Sequence, residues 1–305
     1  MNAAEAKIRW DKIEDPFLLD NGIELTLQRE DLIDPKVSGN KWRKLKYNLL
    51  EFFKGDYSCI VTFGGAFSNH IAATAAAGNK HSITTVGIIR GERTSPLNPT
   101  LAQAEAHGMQ LQFISRSDYL KKDTPEYLTQ LATRFNQPLI IPEGGDNDWG
   151  LKGCQEILNH SPDFDLVVSP VGTGNTLLGL ITSLQPNQAA LGFPVLKGSE
   201  PMTNELSDRL SRLVPSWKSL NWSLDHQAHY GGYGKLSVKV CDFINNFYRQ
   251  HQVQLDPLYT GKMLCRLYEK IENGELRNQS ILAIHTGGLQ GIEGYEQRYQ
   301  VRLFD

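Results

Sequence analysis

The sequence predicts an α/β protein in which mostly parallel sheets are flanked by helices on both faces. The first observation is that short apolar runs alternate with helical patterns through most of the 305 residues, an order typical of parallel sheets. The second is that three glycine-rich turns, FGGAFSNH, PVGTGNT and HTGGLQG, each follow a predicted strand. Because ligands of open α/β sheets bind beyond the carboxyl ends of the strands, these turns indicate where a functional site is expected.

The first half of the chain supplies four of the predicted strands and three of the predicted helices. The strands are 59–65, 82–91, 111–115 and 139–145, and the helices are 41–53, 68–79 and 98–109. Ser68 is placed to cap the second helix and Gly78 to end it, and Gly108 lies near the end of the third.

The second half repeats the same order with fewer clear elements. Residues 164–184 indicate a strand, a glycine loop and a helix, and two later apolar runs, 189–198 and 281–288, indicate strands. The polar, glycine-rich segment 221–236 is predicted to be a loop or the edge of a sheet.

Composition excludes some classes of function without naming one. Lys and Arg total 31 against 34 Asp and Glu, a formal net charge of −3, whereas a dedicated nucleic-acid binder normally carries a basic stripe. No run approaches the roughly 18 apolar residues of a membrane helix. The length suggests about two domains.

The cysteines and the amino terminus indicate a cytoplasmic protein. Cys59, Cys154, Cys241 and Cys265 form no CxxC pair, and most lie in apolar runs, so we expect buried free thiols in a reducing compartment and no metal site. Residues 1–16 have no apolar core, so neither a signal peptide nor a transit peptide is predicted.

Four cations crowd one predicted helix start. Lys41, Arg43, Lys44 and Lys46 lie in the first turns of the helix, where the dipole disfavours positive charge. A solvated basic surface is one interpretation. The other is a phosphate-bearing ligand, with one lysine free for covalent chemistry.

The turn at residues 172–176 can hold a phosphate through backbone N–H groups and threonine hydroxyls. It lacks the GK[ST] ending of a P-loop, and Leu177 stands where the dinucleotide fingerprint needs its third glycine. A tight strand-to-helix turn without a ligand is the alternative.

The turn at residues 63–70 also joins a predicted strand to a predicted helix through glycines. Ser68, Asn69 and His70 open the following helix and can hold a carboxylate or a phenolic oxygen. The alternative is that Ser68 is a plain N-cap and His70 an ordinary surface histidine.

Six motifs taken together resemble one family. GNKWRKLKY, GGAFSNHIAATAAAG, PVGTGNTLLGL, YGGYGK, LDPLYTGKM and IHTGG occur in that order across residues 38–291. The chain resembles the 1-aminocyclopropane-1-carboxylate deaminase and D-cysteine desulfhydrase family, whose members use pyridoxal phosphate and have the fold type II, tryptophan-synthase-β-like architecture.

The resemblance assigns roles to matching positions. It implies that Lys41 bonds the cofactor covalently, that Lys44 reaches its phosphate, and that Asn69, with His70 beside it, bonds its phenolic oxygen. It further implies that Ser68 binds the substrate carboxylate or acts as a nucleophile, that Asn69 and His70 also contact the substrate, and that Tyr233 and Tyr259 face it. The implied phosphate loop consists of Gly172, Thr173, Gly174, Asn175 and Thr176.

One position favours a subgroup. Thr260 stands where the deaminase has a glutamate that pairs with the pyridine nitrogen, and desulfhydrase-like members have threonine there; SNH in place of SNQ points the same way. A hydroxyl leaves that nitrogen nearly neutral and the electron sink weaker. A weaker electron sink is sufficient for α,β-elimination of a thiolate. In that reaction Lys41, Ser68, Tyr233 or Tyr259 would remove the α-proton.

The resemblance also implies two open twisted sheets in two domains, with a smaller domain, 47–150, inserted in a larger one, 1–46 plus 151–305. The expected partners are a small amino-acid substrate and a second copy of the chain in a homodimer, with no nucleic acid and no membrane. The alternatives are aminocyclopropane carboxylate deamination, a serine or threonine dehydratase, a cysteine synthase, and a catalytically silent binding protein.

Overall fold

Residues 8–304 are described by the structure, a computed structural model. The expectation of no leader peptide concerns residues 1–16, of which 1–7 lie outside this range. None of the helices within the described range is long and apolar enough to cross a membrane. The predicted α/β architecture with helix-flanked, mostly parallel sheets is confirmed.

Within residues 8–304 the larger sheet has six strands, in the order β1-β2-β10-β7-β8-β9. Its strands are β1 (Trp10–Ile13), β2 (Ile23–Gln28), β7 (Leu166–Val171), β8 (Ala189–Pro194), β9 (Asn221–Leu224) and β10 (Gln279–Ile284). Among the described strands, only β1 and β2 pair antiparallel. The segment predicted as loop or edge therefore begins with the edge strand β9.

The smaller sheet has four parallel strands in the order β5-β4-β3-β6. They are β3 (Ile60–Gly64), β4 (Thr85–Arg90), β5 (Gln110–Ile114) and β6 (Leu139–Ile141). All four fall between β2 and β7 in the sequence, so one sheet is inserted within the chain of the other.

Twelve α-helices surround these sheets within residues 8–304. They are α1 (Pro16–Asp20), α2 (Asn40–Lys54), α3 (Asn69–His81), α4 (Pro99–Ala106), α5 (Arg116–Tyr119), α6 (Pro125–Arg134), α7 (Asp148–Cys154), α8 (Asn175–Ile181), α9 (Met202–Leu213), α10 (Val238–His251), α11 (Thr260–Glu272) and α12 (Ile292–Tyr299).

Both faces of the larger sheet are buried. In β10, Ile281 and Ala283 pack in one apolar cluster while Leu282 and Ile284 pack in another. Because successive side chains of a strand point to opposite faces, these two clusters are the two helix-covered sides of the sheet. The near-continuous apolar runs of the sequence reflect this double burial.

The domain boundaries expected at 46/47 and 150/151 both fall inside helices, α2 and α7. These helices pack closely, because Gly153 lets α7 approach the backbone of Arg43, where a Cβ would lie 1.9 Å from the carbonyl oxygen. The division into two domains stays a proposal, and α2 and α7 are the elements that connect the two sheets.

Several predicted ends differ from the structure, and the strands expected at 189–198 and 281–288 end at Pro194 and Ile284. Gly78 does not end α3, which continues to His81 and stops at Ser82 in the left-handed region. Gly78 instead lets the helix lie against β4, since a Cβ there would be 2.4 Å from Thr85 Cγ2. The strand expected at 139–145 ends at Ile141, and residues 143–145 form a tight turn in which Gly144 and Gly145 both have φ +70°.

The four cysteines are buried and unpaired, as expected.

Candidate active site

A cleft of about 900 Å³ lies where strands of both sheets end. Its lining includes Gly65 after β3, Arg90 at the end of β4 and Glu143 after β6. Gly172 after β7 and Thr286 after β10 complete this set from the larger sheet. The carboxyl-end rule for α/β sheets therefore places the cleft correctly.

The start of α2 brings Lys41 into the cleft. Gly39 caps the helix with φ +68° and no side-chain hydrogen bond. A Cβ on Gly39 would meet Thr286 O at 1.9 Å, and the Asn40 N–H donates to the same oxygen at 3.1 Å. Only glycine permits this approach.

Protein carboxylates neutralise two of the four cations at this helix start. Arg43 pairs with buried Glu30 at 2.9 Å, and Lys46 pairs with Glu156 at 2.6 Å. Lys44 is buried and donates to the carbonyl of Gly144 at 3.0 Å. Lys41 has no hydrogen-bond or ion-pair partner among the described residues. Of these four cations, Lys41 and Lys44 are therefore the two that remain to pair with the anion of a ligand.

Burial perturbs both of these lysines. It lowers the pKa of Lys41 well below its ordinary value, and the neighbouring charge of Lys44 lowers it further. Burial also lowers the pKa of Lys44. A lowered pKa increases the fraction of neutral amine, the form that attacks carbonyl carbons and accepts protons.

The mouth of α3 presents Ser68, Asn69 and His70 to the cleft. Ser68 caps the helix, as predicted, with Oγ accepting from the Ile71 N–H at 3.3 Å. Asn69 Oδ1 accepts from Gln290 Nε2 at 2.5 Å.

His70 is buried, not a surface histidine. Its Nε2 lies 2.9 Å from Thr62 Oγ1, whose own proton goes to Ile141 O. Burial, reinforced by Lys41 and Lys44, lowers the pKa of His70 well below 6.5. The neutral ring therefore carries its proton on Nε2, and Nδ1 is left as a buried acceptor without a partner.

The glycine loop forms the opposite wall. Gly172, Thr173, Gly174 and Thr176 line the cleft, and Asn175 does not. Both amide donors of Asn175 go to backbone carbonyls and its Oδ1 accepts from Arg209 at 2.7 Å. Its side chain is therefore occupied within the protein, and only its backbone is free to meet a ligand.

The two tyrosines meet over the cleft. The rings of Tyr233 and Tyr259 lie 5.7 Å apart, edge to face, and both line the cavity. Burial raises the pKa of Tyr233, partly offset by Tyr259. Burial, reinforced by Tyr233, raises the pKa of Tyr259 well above 10. Both hydroxyls therefore keep their protons at neutral pH.

Thr260 lies behind the cleft wall. It is fully buried, and its Oγ1 is 3.5 Å from Thr286 Oγ1, which does line the cleft. Asp256 fixes this turn, because its carboxylate accepts the Thr260 N–H at 2.8 Å.

Sequence reasoning missed several lining residues, among them Arg90, Arg116, Glu143, Thr286 and Arg298. Arg90, Glu143 and Thr286 lie at or just beyond strand ends, so the carboxyl-end rule could have found them. Arg116 and Arg298 lie on helices whose sequences carry no distinguishing signal.

Comparison with known proteins assigns the chain to a family. The model of the family described as pyridoxal-phosphate dependent enzyme matches residues 15–287. The chain belongs to this family. A Pyrococcus abyssi protein with the provisional name 1-aminocyclopropane-1-carboxylate deaminase is 30% identical over 292 residues, covering 90% of this chain and 87% of that protein.

One further relative and one solved structure are also similar to this chain. The mitochondrial bifunctional D-cysteine desulfhydrase/1-aminocyclopropane-1-carboxylate deaminase of Arabidopsis thaliana is 29% identical, covering 90% of this chain and 74% of that protein. The crystal structure of an ACC deaminase homologue superposes with a TM-score of 0.82 at 26% identity, covering 96% and 93% of the two chains. The family predicted from the six motifs is confirmed, and with it the cofactor, pyridoxal phosphate.

The site fits this cofactor on observations independent of the comparisons. Lys41 offers an amine of lowered pKa with no partner in residues 8–304. His70 Nδ1 is a buried acceptor that nothing in the described chain satisfies. Gly172 and Gly174 line the cavity and carry no side chains, so their backbone is open to a phosphate group. An amine, a buried acceptor and a glycine turn whose backbone can meet a phosphate lie in one cleft.

Proposed function

We propose that this enzyme is a lyase that removes the β-substituent of a small amino acid, in the manner of a D-cysteine desulfhydrase. D-cysteine and water would give pyruvate, ammonia and hydrogen sulfide. The observation that carries the proposal is the pair of hydroxyls, Thr260 and Thr286, beside the cleft. Glu143 is the one carboxylate among the described lining residues, and it follows β6 in the other sheet.

The hydroxyl pair sets the strength of electron withdrawal. Bound pyridoxal phosphate supplies an electron sink for charge that develops at the substrate α-carbon. Thr260, unlike a carboxylate, cannot hold a proton on a neighbouring pyridine nitrogen. Loss of a good leaving group such as thiolate needs less withdrawal than opening a cyclopropane ring, which favours elimination.

The other residues divide between binding the cofactor and binding the substrate. Lys41 would hold the cofactor covalently, Lys44 and the loop 172–176 its phosphate, and Asn69 its phenolic oxygen. Ser68 and the start of α3 would receive the substrate carboxylate, since a helix amino terminus favours anions.

Arg90 reinforces this carboxylate position. Its Nη2 would lie 3.4 Å from a Cβ added to Gly65, in the loop before Ser68. Arg90 has no carboxylate partner among the described residues; its guanidinium lies 5.6 Å from the ring centre of Tyr119.

The pKa shifts indicate which residue removes the α-proton and which residues donate a proton to the leaving group. The Lys41 amine, with its lowered pKa, suits removal of the α-proton. Tyr233 and Tyr259 hold their protons, because their pKa values are raised. They therefore suit donation of a proton to the departing thiolate, not its removal from carbon.

A second candidate is deamination of 1-aminocyclopropane-1-carboxylate to 2-oxobutanoate and ammonia. It is supported by the relatives that carry this name. The same cleft and the same carboxylate position would serve both substrates, so turnover must separate them.

The test is a turnover screen of the purified enzyme supplied with pyridoxal phosphate. Sulfide and pyruvate released from D-cysteine would support the proposal, 2-oxobutanoate from aminocyclopropane carboxylate the second candidate, and 2-oxo acid from serine or threonine alone a dehydratase. Lys41→Ala should abolish turnover and the absorbance of covalently bound cofactor. Lys46→Ala, whose partner is Glu156 outside the cleft, is the matched control.

The expected homodimer and the cytoplasmic location belong to the same proposal. Light scattering of the purified protein should give twice the chain mass of 34.2 kDa. Fractionation of cells should recover the protein with the soluble cytoplasmic enzymes.

A further inference from the structure

The loop that carries Tyr233 has an unusual backbone. Tyr230, Gly231, Gly232 and Gly234 have φ values of 44°, 90°, 120° and 63°. Left-handed conformation is easy for glycine but leaves the chain flexible, and it is costly for tyrosine. A loop of this kind keeps one conformation only when surrounding groups hold it.

Lys262 is the group that holds the first part of this loop. Its side chain is fully buried in α11. Its Nζ donates to His229 O at 2.8 Å and to Gly232 O at 2.7 Å. Neither acceptor is a carboxylate, so this buried lysine serves no ion pair there, and burial lowers its pKa to about 8.

The same helix turn carries the second tyrosine. Tyr259 is the residue before α11, three positions from Lys262. Lys262 therefore ties the loop of Tyr233 to the turn of Tyr259, whose rings meet at 5.7 Å. Lys262 itself does not line the cleft, so it acts on the site through the loop.

We propose that Lys262 is a positioning residue that holds the loop 229–235 so that Tyr233 faces the substrate. The role given to Tyr233 rests on the proposed function, whereas the loop clamp does not. A neutral amine still has two N–H groups for its two acceptors, so the clamp persists on both sides of the lysine's pKa. Tyr299 forms a second anchor, donating to Gly234 O at 2.5 Å.

The test compares Lys262→Met, which keeps the length of the side chain and removes its donors, with wild type. We expect loop amides in 229–235 to exchange with deuterium at least about tenfold faster, in cofactor-free and loaded protein alike, from the loss of two buried hydrogen bonds. We expect kcat to fall at least about tenfold, with KM and the absorbance of bound cofactor unchanged. Lys262→Gln, whose shorter side chain keeps two N–H groups, should recover part of both effects.

Two further variants make the test specific. The effects of Lys262→Met and Tyr233→Phe on kcat should not add, because both remove the same hydroxyl from its position. Lys12→Met is the control, since Lys12 is an exposed lysine paired with Glu24 on the neighbouring strand, and it should change neither exchange nor kcat.

Unchanged exchange in 229–235 overturns the proposal, as does faster exchange with wild-type kcat or fully additive effects with Tyr233→Phe. If Lys262→Met does not fold, Lys262→Gln decides by the same measurements. If wild type turns over none of the substrates, the proposed function has failed, and the exchange rates of the cofactor-free protein still decide whether Lys262 holds the loop.

Discussion

Gln290 holds the side chain of Asn69 across the two sheets. Gln290 follows β10 of the larger sheet, Asn69 follows β3 of the smaller one, and Nε2 of the first donates to Oδ1 of the second at 2.5 Å. With Oδ1 engaged, the Asn69 amide hydrogens are left to face other acceptors.

We predict that Gln290→Leu weakens the binding of pyridoxal phosphate about two- to tenfold, because the Asn69 amide loses the contact that orients it. Titration of cofactor-free protein, followed by cofactor absorbance, measures this. Gln297→Leu removes a glutamine bonded to exposed Glu293 on α12 and is the control. Equal affinities of the two variants would contradict the prediction.

Lys41 should make the cofactor-free protein sensitive to pH. Its pKa is lowered on folding, so the unfolded chain binds a proton that the folded chain does not. The free energy of unfolding therefore rises with pH up to about 10.5, by at most about 1.4 kcal/mol per pH unit for this group. Lys41→Met should be more stable than wild type near pH 7, with the difference vanishing above about pH 10.5.

Urea unfolding of both proteins from pH 7 to 11 checks this. A difference that stays constant with pH would show that the lysine costs stability through packing alone and not through its charge.

Thr260 is predicted to set the electronic state of the cofactor. Thr260→Val keeps the shape of the buried side chain and removes the hydroxyl, and it should shift the absorbance of bound cofactor and lower the rate of sulfide release. Thr260→Glu should raise turnover of aminocyclopropane carboxylate relative to D-cysteine. Spectra and rates identical to wild type in both variants would remove Thr260 from the site.

The turn at residues 143–145 should fix the position of Thr173 in the glycine loop 172–176. Gly144 has φ +70°, and a Cβ there would lie 2.9 Å from Thr173 Cγ2. Gly144→Ala should lower the free energy of unfolding by about 1 kcal/mol from its backbone alone, and it should weaken cofactor binding by displacing Thr173.

Gly198→Ala is the matched control for this prediction, since Gly198 has φ +74° with open space around it. It should share the loss of stability and keep the affinity for pyridoxal phosphate. Equal affinity losses in both variants would contradict a role for the Gly144–Thr173 contact.

The buried pair of Arg43 and Glu30 should dominate the stability of α2. Their side chains are 8% and 0% exposed, so Arg43→Met would leave a buried carboxylate unpaired at a cost of about 3–5 kcal/mol. Lys46→Met removes a more exposed partner and should cost about 1 kcal/mol or less. Denaturant unfolding measures both, and similar losses would show that burial does not decide the value of these pairs.

Much of the site was predictable because its parts are local. Strand-then-glycine patterns fix the turns at 63–70 and 172–176, and the cation cluster fixes the start of α2. Local patterns could not show which cation is free. That depends on Glu30 and Glu156, which reach Arg43 and Lys46 from other parts of the chain.

The same limit explains the residues that were placed differently or missed. Asn175 fits a phosphate loop by sequence, yet its side chain is used by Arg209 and by carbonyls of the turn after β6. Glycine is typical of helix ends, yet Gly78 lies within α3 and allows the helix to pack closely against Thr85. Arg116 enters the cleft from a short helix with no motif of its own.

The sequence by itself determined the α/β class, the family, the cofactor and the set of segments that form the cleft, since periodicity and turn chemistry act over a few residues. The tertiary structure alone decided which side chains are free to react. Whether Lys41 is unpaired, whether His70 leaves Nδ1 open, and whether Lys262 holds the loop of Tyr233 all depend on contacts between residues distant in the chain. Burial and charge at those contacts set the pKa values, and no local pattern records them.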